Sequence, residues 1–171
     1  MKFERLELSA FGHFKGQALD FSVPSAGLHL IYGNNEAGKS TALRAIRGLL
    51  FGVPVQSQDT FVHTGKDIRV GAVLVNAEQR LEVVRRKGRK HTLLNAQGEA
   101  LDDDALRPWL GGVDETLFNA MFGLDHTGLR AGAESLLALG GKPGATLYGA
   151  SLGTAHLRTT LPTDRFEPSV L

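Results

Sequence analysis

Gly33-Asn34-Asn35-Glu36-Ala37-Gly38-Lys39-Ser40 spells a complete GxxxxGK[ST] phosphate-binding loop. Upstream, Leu28, Leu30 and Ile31 belong to a short apolar run ending at Tyr32, and the pattern predicts a buried strand over 27–32 feeding the loop. Downstream, Thr41, Ala42, Leu43, Ala45, Ile46, Leu49 and Leu50 recur at helical spacing. Strand, glycine-rich loop and helix in that order form the context the motif requires. Gly33 and Gly38 can take positive φ, which lets successive N–H groups turn inward around phosphate oxygens. The helix adds the positive end of its dipole. Lys39 supplies a point charge for the β- and γ-phosphates, and the Ser40 hydroxyl is a Mg²⁺ ligand. The stretch predicts a nucleoside triphosphate site.

Working outward, Phe3, Leu6 and Leu8 open an amphipathic strand, resumed by Leu19 and Phe21 after Gly12 and Gly16. The helix after Lys39 is expected to stop at Gly52-Val53-Pro54. Residues 54–67 read as loop. Alternation over Ile68, Val70, Ala72 and Leu74, then Leu81, Val83 and Val84, then Thr92 to Leu94, predicts an antiparallel meander with turns at Gly88 and at Asn95-Ala96-Gln97-Gly98. Asp102-Asp103-Asp104 stands before a predicted helix carrying Ala105, Leu106, Trp109 and Leu110, at the end the dipole favours for acids. Asp114 is a candidate cap for a further helix bearing Leu117, Phe118, Met121 and Phe122. Another helix is predicted over 131–139, followed by a poorly ordered tail rich in glycine and proline.

A chain of 171 residues suggests one domain with a sizeable core. Hydrophobic residues at 42% and charged residues at 22% are ordinary for a globular protein, and a net charge of +1 argues neither for nor against nucleic acid. The absence of cysteine excludes disulfides and thiolate metal sites. Charge is interleaved through the first eight residues, which does not make a signal peptide, and no apolar run reaches the ~20 residues of a membrane span. The expectation is a soluble, cytoplasmic chain without a membrane partner. The six histidines lack metal-ligand spacing, and His29, inside the predicted strand, reads as a core residue. Trp109, Phe118 and Phe122 read as core packing.

Residues 1–21 followed by the loop resemble the N-terminal ATPase lobe of the SMC, SbcC and RecF group, and within it the YhaN-type AAA domain. Phe122-Gly123-Leu124-Asp125-His126 with Leu129-Arg130-Ala131-Gly132 is similar to the same subgroup. The resemblance covers residues 1–155. It implies an α/β fold: a P-loop NTPase half-domain, the N-terminal lobe of an ABC/SMC-like head, with an antiparallel β-meander and a helical C-terminal part. It also implies a following coiled coil and a C-terminal lobe holding the signature motif, Walker B and the catalytic glutamate. Such heads sandwich ATP between two copies, which implies a head-to-head homodimer and action on DNA ends in the complete protein. Carried over residue by residue, it assigns ATP contacts to Asn34, Asn35, Glu36, Ala37, Gly38, Lys39, Ser40 and Thr41, and Mg²⁺ to Ser40. Asp125 falls about where the group has its Q-loop glutamine, so its roles are metal ligand or turn stabiliser. Relatives place a basic phosphate contact in the first hairpin, where this chain has Gly12, His13 and Lys15.

Hydrolysis needs a Walker B acid, yet Val73-Leu74-Val75 ends in Asn76. The glycine pairs after Leu110 and Leu139 lack the serine of an LSGG signature. Residues 156–171, with Pro162 and Pro168, resemble nothing in the family and are expected to be an irregular tail from a truncated gene product, a trimmed fragment or a shifted frame. The expectation is therefore ATP binding with poor hydrolysis, the missing C-terminal lobe coming from another chain or from a longer native protein. Three alternatives remain open. A P-loop GTPase is suggested by Asp125-His126-Thr127-Gly128, but no NKxD is present. A small kinase would follow from the loop alone. A non-catalytic DNA-binding module is suggested by Arg85-Arg86-Lys87-Gly88-Arg89-Lys90-His91, a run that otherwise reads as a solvated turn.

Overall fold

The structure, a computed structural model, describes residues 1–22, 28–77, 79–123, 128 and 130. The chain divides into Met1–Gly123 and Leu124–Leu171. The architecture below is that of the first unit. Asp125, the helix predicted over 131–139 and the tail lie outside the described residues.

The elements run β1 (Lys2–Phe11), β2 (Phe14–Asp20), α1 (Lys39–Phe51), β3 (Arg69–Asn76), β4 (Gln79–Arg86), β5 (Leu93–Asn95), α2 (Arg107–Leu110) and α3 (Glu115–Met121). Single 3₁₀ turns at Gln58–Thr60 and Gly65–Asp67 punctuate the connection between α1 and β3. The strands form one sheet ordered β2-β1-β3-β4-β5, and every pairing is antiparallel. The result is a mixed α/β domain built on an antiparallel meander.

The period-2 pattern explains the register. Leu6 and Val83 both stand opposite Ala72, and all three are buried on one face of the sheet. That face receives α1, whose Ala42, Ala45, Leu49 and Leu50 are buried at helical spacing. Phe11, Ile68, Val70, Leu74, Leu93 and Leu106 complete the same core. Gly52, at φ 105°, ends α1. Asp114 caps α3 as expected, accepting from the Leu117 N–H at 2.7 Å.

Several expectations fail. The buried strand expected over 27–32 is not formed by its described residues, 28–32. Residues 28–33 carry no regular structure, and Leu28, Leu30 and Tyr32 are 81%, 80% and 88% exposed. A buried parallel strand needs neighbours on both sides, and the described sheet is wholly antiparallel with β2 and β5 at its edges. His29 is accordingly exposed, its ring edge-on to Phe21 at 5.2 Å, rather than a core residue. The helix expected after Asp102-Asp103-Asp104 is a single turn, and Asp103 serves the β4–β5 turn instead. Of the expected aromatic core, Trp109 and Phe118 pack against it, while Phe122 is 59% exposed beside Phe118.

Candidate functional site

The phosphate-loop residues sit at the N-terminus of α1. Gly38 is the cap, left-handed at φ 96° and ψ 11°, and as a glycine it offers no side-chain cap to the N-terminal amides of the helix. The first turn also lacks an acidic residue. The first turn thus brings no acid of its own to offset the positive end of the helix dipole. Gly33 does not take positive φ; Glu36 does, at 68°. Gly33 matters for space, since a Cβ there would lie 3.0 Å from the Ala37 Cβ. The Ala37 N–H donates to the Asn34 carbonyl at 3.2 Å, which closes the turn. Lys39 is exposed, and its ammonium donates back to the Gly33 and Asn34 carbonyls at 2.7 and 2.8 Å, curling over the loop. Ser40 is exposed beside it, while Asn34, Asn35, Glu36 and Ala37 form the exposed outer turn. Thr41 faces inward, 8% exposed, with its hydroxyl accepting from Arg44 at 3.1 Å.

The first hairpin buttresses this end of α1. A Cβ on Gly38 would overlap the rings of His13 and Phe14, the latter at 2.6 Å. His13 therefore lies directly against the helix cap, its ring tilted 38° to that of Phe14 with the centroids 4.1 Å apart. Gly12, at φ 60°, meets Thr41, and its N–H donates to the Asp59 carbonyl at 2.9 Å. The Asp59 carboxylate, 3% exposed, accepts from Arg44 Nε at 2.8 Å and Nη2 at 2.7 Å. A bidentate pair of this kind fixes orientation as well as attracting charge. His63 contacts the Phe14 carbonyl at 2.7 Å through Nε2. Hairpin, helix and the 54–67 connection are thereby locked together around the loop. Arg44 and Asp59 had no legible role in the sequence, because they are fifteen residues apart in a stretch without periodicity.

The family described as AAA domain has a model that matches residues 1–165 of this chain. The chain belongs to the YhaN-type AAA domain family. It is 31% identical over 131 residues to an uncharacterized protein, YhaN, of Bacillus subtilis (strain 168), covering 73% of the chain and 13% of that relative's length. Membership suggests an ATPase-type function for this AAA domain. Among its described residues no helix is long and apolar enough to cross a membrane, and no group of three or more His, Asp or Glu side chains is placed to hold a metal ion.

The basic run at 85–91 of the AAA domain separates into two parts. Arg85 is 2% exposed and belongs to the core, not to a solvated turn. It donates to the Leu49 carbonyl at 3.0 Å, to the Thr92 hydroxyl at 2.9 Å and to the Asp103 carboxylate at 3.0 Å. Asp103 also accepts from the His91, Thr92 and Leu93 amides. Burial pushes Arg85 down from its ordinary value, against the attraction of Asp103. Burial alone would raise Asp103, but the Thr92 hydroxyl and amide, the Leu93 amide and Arg85 outweigh it and hold the carboxyl below its usual range. The signal for Arg85 was present in the alternation Leu81, Val83, Arg85, which puts it on the inward face.

Proposed function

We propose that this chain is the ATP-binding N-terminal lobe of a larger, two-lobed ATPase. The observation that carries this is the left-handed Gly38 at an α1 N-terminus without side-chain caps or acids, with Lys39 and Ser40 exposed beside it. The donor chemistry fits a triphosphate: amides and a helix end for oxygens, an ammonium for the β- and γ-phosphates, and a hydroxyl for the accompanying Mg²⁺. Mg²⁺ retains several waters and phosphate oxygens as ligands, so Ser40 is sufficient as a protein contact on this side, with Asp125 a second candidate ligand. His13, packed on the cap, supplies the first-hairpin contact. Asn34 to Gly38 offer backbone amides to the nucleotide, and Thr41 holds the helix start in place.

The chain spans 13% of its relative's length, and an apolar run precedes the loop with its side chains exposed. Both support a complementing lobe, from a longer protein or a partner chain, that covers 28–32 and supplies the Walker B acid. ATP-dependent pairing of two such heads, work on DNA ends and a cytoplasmic setting belong to the same reading of the complete protein. Alone, the chain binds ATP and turns it over poorly.

The test is thermal stability with and without Mg-ATP, for the wild type and for Lys39→Ala. Ligand at ~100 times its dissociation constant stabilises a folded state by roughly 2.7 kcal/mol when only that state binds. The expected result is a shift with ATP that Lys39→Ala abolishes. A cooperative wild type with no shift, or a shift that survives Lys39→Ala, would overturn it. A larger shift with GTP would point to the GTPase alternative.

A further inference from the structure

The first hairpin is anchored on both sides of its tip, and the residue between the anchors faces the phosphate loop. β1 and β2 turn on Gly12 and His13 alone, since Phe11 pairs directly with Phe14. The Gly12 N–H donates to the Asp59 carbonyl at 2.9 Å. On the other side, the Phe14 carbonyl can only accept, so His63 Nε2 carries the proton it donates to that oxygen at 2.7 Å. His13 stands between these two anchors and is itself exposed. The polar edge of its ring lies at the loop: a Cβ built on Gly38 would stand 2.7 Å from His13 Nε2. None of the ion pairs among the described residues involves His13. Asp59 reaches the other wall of the same site as well. Its carboxylate orients Arg44, whose Nη2 donates to the Thr41 hydroxyl at 3.1 Å in the first turn of α1. The Asp59 amide in turn donates to Ser57 Oγ at 3.2 Å. One buried residue thus sets the spacing between hairpin tip and helix start, through its carbonyl on one side and its carboxylate on the other.

We propose that the 57–63 connection is a clamp that presents His13 to the phosphates of a bound nucleotide, with Asp59 and His63 as its positioning residues. Neither has to touch the nucleotide. β2 is an edge strand, so the tip has a neighbouring strand on one side only. Exposed loop tips of that kind are where a chain is most mobile. The two backbone anchors remove that freedom, and they do so at residues 12 and 14, which leaves the side chain of residue 13 for the ligand. A contact held ready before binding loses less of its strength to the ordering of the side chain. This role depends on the nucleotide site proposed above and adds to it the cause of His13's placement.

Mg-ATP titration of the full chain in a double-mutant cycle tests it. His13→Ala should weaken binding at least about tenfold, as expected for a lost hydrogen bond to a charged group. His63→Ala, at a half-buried site, should weaken it roughly three- to tenfold, and His63→Gln, which keeps a donor, should restore it to within about twofold. In the His13→Ala background, His63→Ala should cost less than about twofold, because the clamp acts through His13. Asp59→Asn, titrated well below its melting temperature, should show the same dependence on His13. A His63→Ala penalty that persists undiminished without His13 would overturn the clamp, as would a His13→Ala variant that binds like wild type. A second readout needs no nucleotide. In the free chain, the His13 Cε1–H resonance, displaced by the Phe14 ring, should move toward its random-coil position in His63→Ala; an unmoved resonance would equally sink the idea. Failure of the nucleotide site is separable, since it appears as a wild type that binds no Mg-ATP while the His13 resonance still responds to His63→Ala.

Discussion

Asp103 holds more of the β4–β5 region together than its place in a run of three aspartates indicates. Its carboxylate receives three amides, a hydroxyl and the guanidinium of Arg85, yet it remains 40% exposed. Its folded pKa lies below the ordinary value, so the stability it contributes is complete above the unfolded aspartate value of about 3.9 and fades as pH falls through the folded value. Asp103→Asn should lose about 1–2 kcal/mol near neutrality, less than a fully buried charge partner because water reaches the carboxylate. In urea unfolding across a pH series, the gap between wild type and variant should narrow below about pH 4. A gap that stays constant with pH would show that Asp103 acts by shape and not by charge. The sequence hid this role because the acid and its cation lie 18 residues apart. Only the pleat of β4 turns Arg85 inward.

At the scale of elements, α1 and the first hairpin act as one unit, and Gly12 is the joint between them. A Cβ there would stand 2.5 Å from the Thr41 methyl, at a backbone φ of 60° that side chains resist. Gly12→Ala should therefore destabilise the domain by about 2–4 kcal/mol, combining overlap with left-handed strain. It should also weaken Mg-ATP binding, because Thr41 occupies the first turn of the helix that ends the loop. Chemical denaturation and nucleotide titration check both halves; lost stability with unchanged affinity would uncouple the hairpin from the loop. The elements themselves were mostly legible. Alternation gave β1, β3 and β4, and the 3.6-residue spacing gave α1 with its stop at Gly52. Alternation and helical spacing report which side of an element is buried, and both succeed where the burying partner lies within the same unit. The run Leu28 to Tyr32 carries an equally good apolar signal and fails as an element. Its burial depends on neighbours that the described sheet does not provide.

For the whole molecule, that exposed run is the feature most at odds with an isolated soluble domain. Leu28, Leu30 and Tyr32 are each at least 80% exposed, with Ile31 at 43%, immediately before the phosphate loop. They line an open trough with Leu19 and Phe21. Contiguous apolar exposure of this kind marks an interaction site or an aggregation hazard. Leu30→Ser distinguishes a covered from an uncovered state of the chain in solution. If the side chain meets only water, the substitution should change unfolding free energy by no more than about 0.5 kcal/mol and should reduce concentration-dependent light scattering. The remainder of a longer relative, added in trans, should then bind wild type and lose affinity for the variant, since one buried leucine is worth about 1.5–3 kcal/mol. A destabilisation of the isolated chain approaching the 2–5 kcal/mol of a core leucine truncation would mean that the run is already buried in solution. The loop would then be held by contacts within this chain, and the proposal of a complementing lobe would rest on the 13% share of its relative's length and on the absent Walker B motif.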